Sequence, residues 1–420
     1  MNLPKEIDYT SQLPSLSNDT ASISTVIMPS NGSSFSPSST IFLDLPSQHF
    51  IDPSTMYLRY KVNLTSAVSA EVKGTPAYTF FNSLQTTLGS NIVENIQNYN
   101  QTMGMVVNLT HSSAHKQSMA VAYGYNDPAM VTAATTQCDN LNGRICAVNE
   151  VFSLSMPLKC IISESQKLVP MFCLNGCRIT LNVDSIGGVF TSAVTPTNFT
   201  LSNIELCYDS INFGSSVESM VKSMGLIYIK SQSLSTSTSI LPTATSGSID
   251  LIYNLRLASI KSVFSIFSGT SANSINKNMD SYDVTSNNGD YQYLIGNKNY
   301  PSRPLSTLNS KSCFSIENKS AVGGFHDVTN SSSISPVEYS YVGNAATTLV
   351  RPAKFYVSQN VEKLKSNGVL LSGISSQSSP INLRINSNTA TAQSHNVTLI
   401  CLYDALVEID TVNNTANVKQ

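Results

Sequence analysis

Thr200 to Ile211 reads TLSNIELCYDSI, and Thr398 to Ile409 reads TLICLYDALVEI. Both stretches are apolar-rich, and each carries a Tyr-Asp pair, Tyr208-Asp209 and Tyr403-Asp404, 195 residues apart. Upstream of each lies a second alternating stretch, CRITLNVD from Cys177 and INLRINSN from Ile381. The order of two strands is therefore echoed as well as one short string. Internal repeats fix architecture before anything else, and the simplest source of this echo is one all-β unit present twice.

Working outward, the rest of the chain carries the same signature. From Thr40, TIFLDL alternates, Pro46 breaks the run, Asp52-Pro53-Ser54 turns, and Tyr57 to Leu64 alternates again. Further short β runs start at Val151 (VFSLSMPL), Lys167 (KLVPMFCL), Ser248 (SIDLIYNLRLASIKSVFSIF) and Lys354 (KFYVSQ). Many short strands divided by Gly, Pro, Asn and Ser point to sandwiches or barrels. Three helices are expected. The 4, 3, 4, 3 spacing of Ile92, Ile96, Tyr99, Met103 and Val106 predicts the first. Ser215 and Glu218, as a capping box closed by Gly225, predict the second between the two copies. Asn360 to Ser366, capped by Ser358 and closed by Asn367-Gly368, is the third. The polar stretches Ser231 to Ser248 and Ser268 to Asp290 read as surface loops.

A chain of 420 residues exceeds what one core usually holds, which agrees with two units. We divide it into an N-terminal arm at 1–20, a first β unit at 21–213 and a second at 214–420. Charged residues make up only 12 %, about half the usual ~25 %. A surface of Ser, Thr, Asn and Gln can be covered by neighbours without desolvating many ions. The same composition also suits an extracellular protein. The net charge of −2 and the single basic residue among the first 50, Lys5, argue against direct nucleic-acid binding. No apolar run is long enough for a membrane span and no signal-peptide pattern opens the sequence, so a soluble, unprocessed chain is expected. The eight cysteines sit inside apolar runs and read as buried, reduced thiols.

Catalysis finds no anchor. His111 and His115 are spaced i, i+4, but no Glu follows His111 to make H-E-x-x-H; the bland reading is a solvated pair. Cys173 and Cys177 lack a partnering pair at zinc spacing and read as core. Asp209 and Asp404 could be imagined as a glycosidase pair, but their matching places in two copies favour a structural role at strand ends. No catalytic, cofactor-binding or metal-ligating residue is assigned, and the chain is read as no enzyme. Ten N-x-[ST] sequons, Asn63, Asn100 and Asn413 among them, follow from composition when no signal peptide is present.

Several segments resemble one family in order along the chain: FLDLPSQHFIDPSTMYLRYKV (Phe42 to Val62), LGSNIVENIQNYNQTMGMVVNLT (Leu88 to Thr110), SESQKLVPMFCL with CRITLNVD (Ser163 to Asp184), YQYLIGNKNYPSRPL (Tyr291 to Leu305) and LICLYDALVEID (Leu399 to Asp410). They resemble double jelly-roll major capsid proteins, those of polinton-like viruses and virophages above all, in the lineage of adenovirus hexon and the tailless phages. The resemblance runs over roughly residues 20 to 410 and is looser in the second half. It implies an all-β chain of two tandem eight-stranded jelly rolls with a few short helices in the connections. It further implies a homotrimer of pseudo-hexagonal outline that tiles an icosahedral shell in the virion, assembled in the host cytoplasm or nucleus, with penton and minor or cement proteins as partners. Contact with an internal membrane stays open. The competing reading is a secreted or surface β-sandwich binding module of lectin or adhesin type, supported by the sequons and the polar surface.

Overall fold

A computed structural model describes residues 20–125, 143–191, 196–243, 246–269, 289–307, 354–363, 371–387 and 394–419, with short pieces at 281, 319–321, 332–334 and 339. Eight strands in the first half set the pattern: β1 (Ala21–Ile27), β2 (Thr40–Leu45), β3 (Tyr57–Thr65), β4 (Phe81–Leu88), β5 (Asn91–Gln97), β6 (Val151–Pro157), β7 (Cys177–Val183) and β8 (Asn198–Asn212). They pair antiparallel into two sheets, β6-β3-β8-β1 and β2-β7-β4-β5. This is the jelly-roll order, in which first and last strands are neighbours and the chain passes repeatedly from sheet to sheet.

The second half repeats that order shifted by eight. Its strands are β9 (Leu226–Leu241), β10 (Gly247–Tyr253), β11 (Ile260–Gly269), β12 (Gly289–Ile295), β13 (Lys298–Ser306), β14 (Tyr356–Asn360), β15 (Ile381–Ser387) and β16 (His395–Asp410). The sheets are β14-β11-β16-β9 and β10-β15-β12-β13. The two Tyr-Asp strings lie on β8 and β16, the last strand of each roll, and the two upstream echoes lie on β7 and β15.

Alternation explains how each strand chooses its face. In β3, Leu58, Tyr60, Val62 and Leu64 are buried while Tyr57, Arg59 and Lys61 are exposed. Facing them across the first roll are Leu84, Ile179 and Leu181, all fully buried. The second roll is filled in the same way by Tyr253, Tyr291, Leu383 and Leu399. Tyr60 and Tyr293 take their hydroxyls inside, where each donates to a carbonyl, Ala77 O at 2.8 Å and Val357 O at 3.0 Å. The expected turn at Asp52-Pro53-Ser54 is a short 3-10 turn, with Asp52 Oδ1 accepting the Ser54 N–H at 3.0 Å.

Several local expectations change. Ser231 to Ser248 is no loop: its first eleven residues belong to the sixteen-residue strand β9, which pairs along its whole length with β16. The apolar stripe at Ile92 to Val106 is split, with Ile92 and Ile96 on β5 and Tyr99, Met103 and Val106 on helix α1 (Tyr99–Thr110); Asn98, at φ 51°, makes the joint. Helix α2 (Ser215–Lys222) forms where expected, but Gly214 is its N-cap with no side-chain cap bond, and Glu218 turns to His49 instead. The third helix is absent at its start, since Ser358 and Asn360 are strand residues of β14; residues 364–370 lie outside those described. The run at Lys167 is only partly strand, Val169–Pro170, followed by a 3-10 turn at Met171–Cys173.

Gly373 shows how tightly the second roll closes. A Cβ there would lie 2.3 Å from the Ile260 carbonyl oxygen, in a stretch where Ile260 and Ile374 exchange backbone hydrogen bonds at 2.7 and 2.9 Å. Backbone cannot swing aside as a side chain can. Gly373→Ala is therefore expected to destabilise by about 1–3 kcal/mol, read as a lower urea midpoint at unchanged slope.

Candidate assembly surface and the seam between the rolls

The two rolls meet along the edge of one sheet from each. Strand β5 ends the second sheet of the first roll, and β9 ends the first sheet of the second roll. Their contact is made by short polar side chains. Thr236 Oγ1 accepts the Gln97 N–H at 3.0 Å and donates to the Gln97 carbonyl at 2.9 Å, and Asn98 Nδ2 donates to Thr238 Oγ1 at 3.2 Å. Ser231 donates to the Ile161 carbonyl, and the Gln166 N–H to the Lys230 carbonyl at 3.0 Å. The Ser/Thr run that reads as a loop is thus a strand whose polar face serves the partner roll.

One carboxyl is buried in this seam. Glu94, on β5 and 3 % exposed, accepts from Thr86 Oγ1 at 2.9 Å and the Ile161 N–H at 3.0 Å within the first roll, and from Ser233 of β9 in the second. Burial outweighs these donors and raises its pKa to about 7.

At the far end the chain terminus clasps the first roll. Strand β17 (Thr415–Lys419) folds back on β16, through a turn in which Asp410 Oδ1 accepts the N–H groups of Val412 and Asn413 at 2.9 and 3.0 Å. Those bonds hold the Asp410 carboxyl below its usual range. From the hairpin, Asn414 O accepts the Asn175 N–H at 3.1 Å, and Ala416 O accepts Asn91 Nδ2 at 3.2 Å.

The outward faces carry a second echo of the duplication. Arg178 of β7 forks onto Asp44 of β2 at 2.6 and 3.2 Å, and Arg384 of β15 forks onto Asp250 of β10 at 2.8 and 3.0 Å. Each pair is in direct register and separated by 134 residues. Sequence reading missed this, although the equal spacing of the two Asp…Arg pairs was its signal. Exposed apolar groups such as Ile23, Val26 and Met28 at β1 and Leu226 and Tyr228 on β9 punctuate an otherwise neutral, hydroxyl-rich surface.

Of the residues weighed for chemistry, Asp209 and Asp404 lie in different rolls. Asp209 is half-buried, and its backbone, through the N–H to Thr55 Oγ1 at 2.9 Å and the carbonyl from the Asp52 N–H at 3.0 Å, is what bonds the turn. Asp404 is fully buried in the other roll: its Oδ2 accepts from Ser372 N and Oγ at 3.1 and 3.0 Å and from Ser259 Oγ at 3.3 Å. Its Oδ1 faces Lys230 and Lys261 Nζ at 3.7 and 3.8 Å. The two carboxylates lie on strands of separate sheets, one in each roll. His111 and His115 stack at 4.4 Å between ring centroids, and burial pushes His111 down to about 4. Among the described residues no group of three or more His, Cys, Asp or Glu could hold a metal. Cys173 and Cys177 are buried free thiols, pushed up by desolvation, as are Cys146 and Cys160, both to about 12. Asn100, a sequon residue, is 6 % exposed and donates to Asp184 Oδ2 at 2.6 Å, which leaves it out of reach of a glycan. No helix is long and apolar enough to cross a membrane among the described residues.

Neither a protein-family profile nor a curated protein matches the sequence. Solved structures do. PBCV-1 VP54, as fitted into a reconstruction of the virophage Sputnik, superposes with a TM-score of 0.61 at 11% identity over 98% of this chain and 99% of that one. The major capsid protein of Faustovirus gives 0.61 at 9% identity over 96% and 92%, and that of mavirus 0.51 at 8% over 100% and 95%. With two eight-stranded rolls of one strand order in a single chain, and superposition over nearly its full length, the protein has the double jelly-roll fold of these capsid proteins.

Proposed function

We propose that this chain is a viral major capsid protein, resident in the virion, whose activity is self-assembly. The observation that carries the reading is the doubled roll itself, similar end to end to major capsid proteins. Three chains, each with two like rolls, make a ring of pseudo-hexagonal outline, and such rings tile a shell. The domain plan follows: an arm at 1–20, a first roll at 21–213 and a second at 214–420. Low charge supports it, because 12 % charged residues leave few ions to strip of water when flanks meet. A lasting trimer contact buries more than ~1,000 Å²; lateral contacts between trimers are weaker and numerous, which permits error correction. Penton and minor proteins complete the shell in this reading, and the chain performs no catalysis.

Light scattering behind size-exclusion chromatography is expected to give a trimer or a larger particle at micromolar concentration. A strictly monomeric species overturns the proposal. The lectin reading predicts attached glycans, whereas the capsid reading predicts an intact mass equal to that of the bare sequence, with buried Asn100 unmodified in either case.

A further inference from the structure

Between the rolls lies a cavity of about 270 Å³. Its apolar wall comes from both rolls and from helix α1: Ile96, Val106 and Leu109 on one side, and Leu234, Phe264 and Leu402 on the other. Its polar groups, among the described residues, include Glu94, Thr110, Gln232, Ser233 and the Lys159–Glu164 ion pair, 2.9 Å long and partly exposed. Ser262 also lines it, a 2 % exposed residue whose hydroxyl has no hydrogen-bond partner among the described residues. An apolar hollow at a domain junction with a few convergent polar groups is the ordinary form of a small-molecule site.

We propose that this cavity binds a small amphipathic cation, an amine carrying an apolar body of about ten heavy atoms, and that the bound molecule pins one roll to the other. Size sets the body: at ~30 Å³ per water the space equals roughly nine waters, and a dry cavity of ~150 Å³ already admits benzene. Charge sets the head. Among the described residues the lining carries two carboxyl groups, Glu94 and Glu164, and one ammonium, Lys159, which pairs with Glu164; above pH 7, where Glu94 ionises, an ammonium head meets an unbalanced acceptor and a carboxylate head meets repulsion. Because the wall is built from both rolls, occupancy stabilises their junction by mass action.

The test uses 4-phenylbutylamine, 4-phenylbutanol and 4-phenylbutyrate at equal millimolar concentrations with the 420-residue chain at pH 8, followed by thermal unfolding. The amine is expected to raise Tm by about 3 °C or more, the alcohol by less, and the acid not at all. Val106→Phe fills the cavity and is expected to abolish the amine response, with circular dichroism confirming the fold. Glu164→Gln, at a partly exposed position that tolerates change, is expected to narrow the gap between amine and acid. No amine response in the wild-type protein, an undiminished response in Val106→Phe, or equal responses to amine and acid each overturn the proposal. None of these outcomes depends on whether trimers form, so the result stands apart from the assembly reading.

Discussion

Asp404→Ala is expected to cost about 3–5 kcal/mol of unfolding free energy, the usual penalty for removing one partner of a buried ionic cluster. Its carboxylate, wholly out of solvent, is the acceptor for the Ser372 N–H and two hydroxyls and the counter-charge beside two ammonium groups. Glu362, 3.4 Å from Lys261, compensates only part of that charge. Asp404→Asn keeps an acceptor and loses the charge, and it should fall between alanine and wild type. The control is built into the chain: Asp209→Ala, at the matching place in the first roll but half-exposed, should shift stability by no more than about 0.5–1 kcal/mol. Denaturation followed by far-ultraviolet circular dichroism suits a protein without tryptophan. Equal midpoint shifts for the two aspartates would show that the cluster adds nothing.

Glu94→Gln should change how stability depends on pH. In the folded seam the neutral acid is the favoured form, since the pKa is raised from 4.5 to about 7 by burial. The stabilisation it contributes is complete below pH 4.5 and is lost as pH rises to about 7, a fall of about 3 kcal/mol. Gln cannot titrate. The difference between wild type and variant, measured by urea unfolding from pH 4.5 to 8, should therefore decline across that window and level off above it. A flat difference would mean that the three donors outweigh burial and that Glu94 stays ionised in the folded seam.

Much of the fold is readable from alternation. Leu58, Tyr60, Val62 and Leu64 announce a half-buried strand, and the matched Tyr-Asp strings mark the closing strand of each roll. What alternation cannot mark is a strand whose buried face is polar. Ser231 and Ser233 are buried because their hydroxyls bond across the seam, and nothing in a Ser/Thr run distinguishes that partner from water. The stripe from Ile92 to Val106 misleads for another reason. Period 3.6 and period 2 coincide over short spans, so a strand turning into a helix at Asn98 reads as one stripe, although Ile92 is exposed while Ile96, Tyr99 and Met103 are buried. The buried Asp404 and the half-exposed Asp209 look alike as text; only neighbours distant in sequence, Lys230 on β9 and Ser372 in the segment before β15, separate them.

The C-terminal clasp also orders events in time. Every pairing of β1 to β8 is complete by residue 212, while the contacts of Asn91 with Ala416 and Asn417 span more than 320 positions. At ~5–20 residues per second on the ribosome, the leading barrel has on the order of ten seconds or more to settle before its companion emerges. The hairpin of β16 and β17 follows the other strands of the second barrel and adds its bonds to a seam that β5 and β9 already hold.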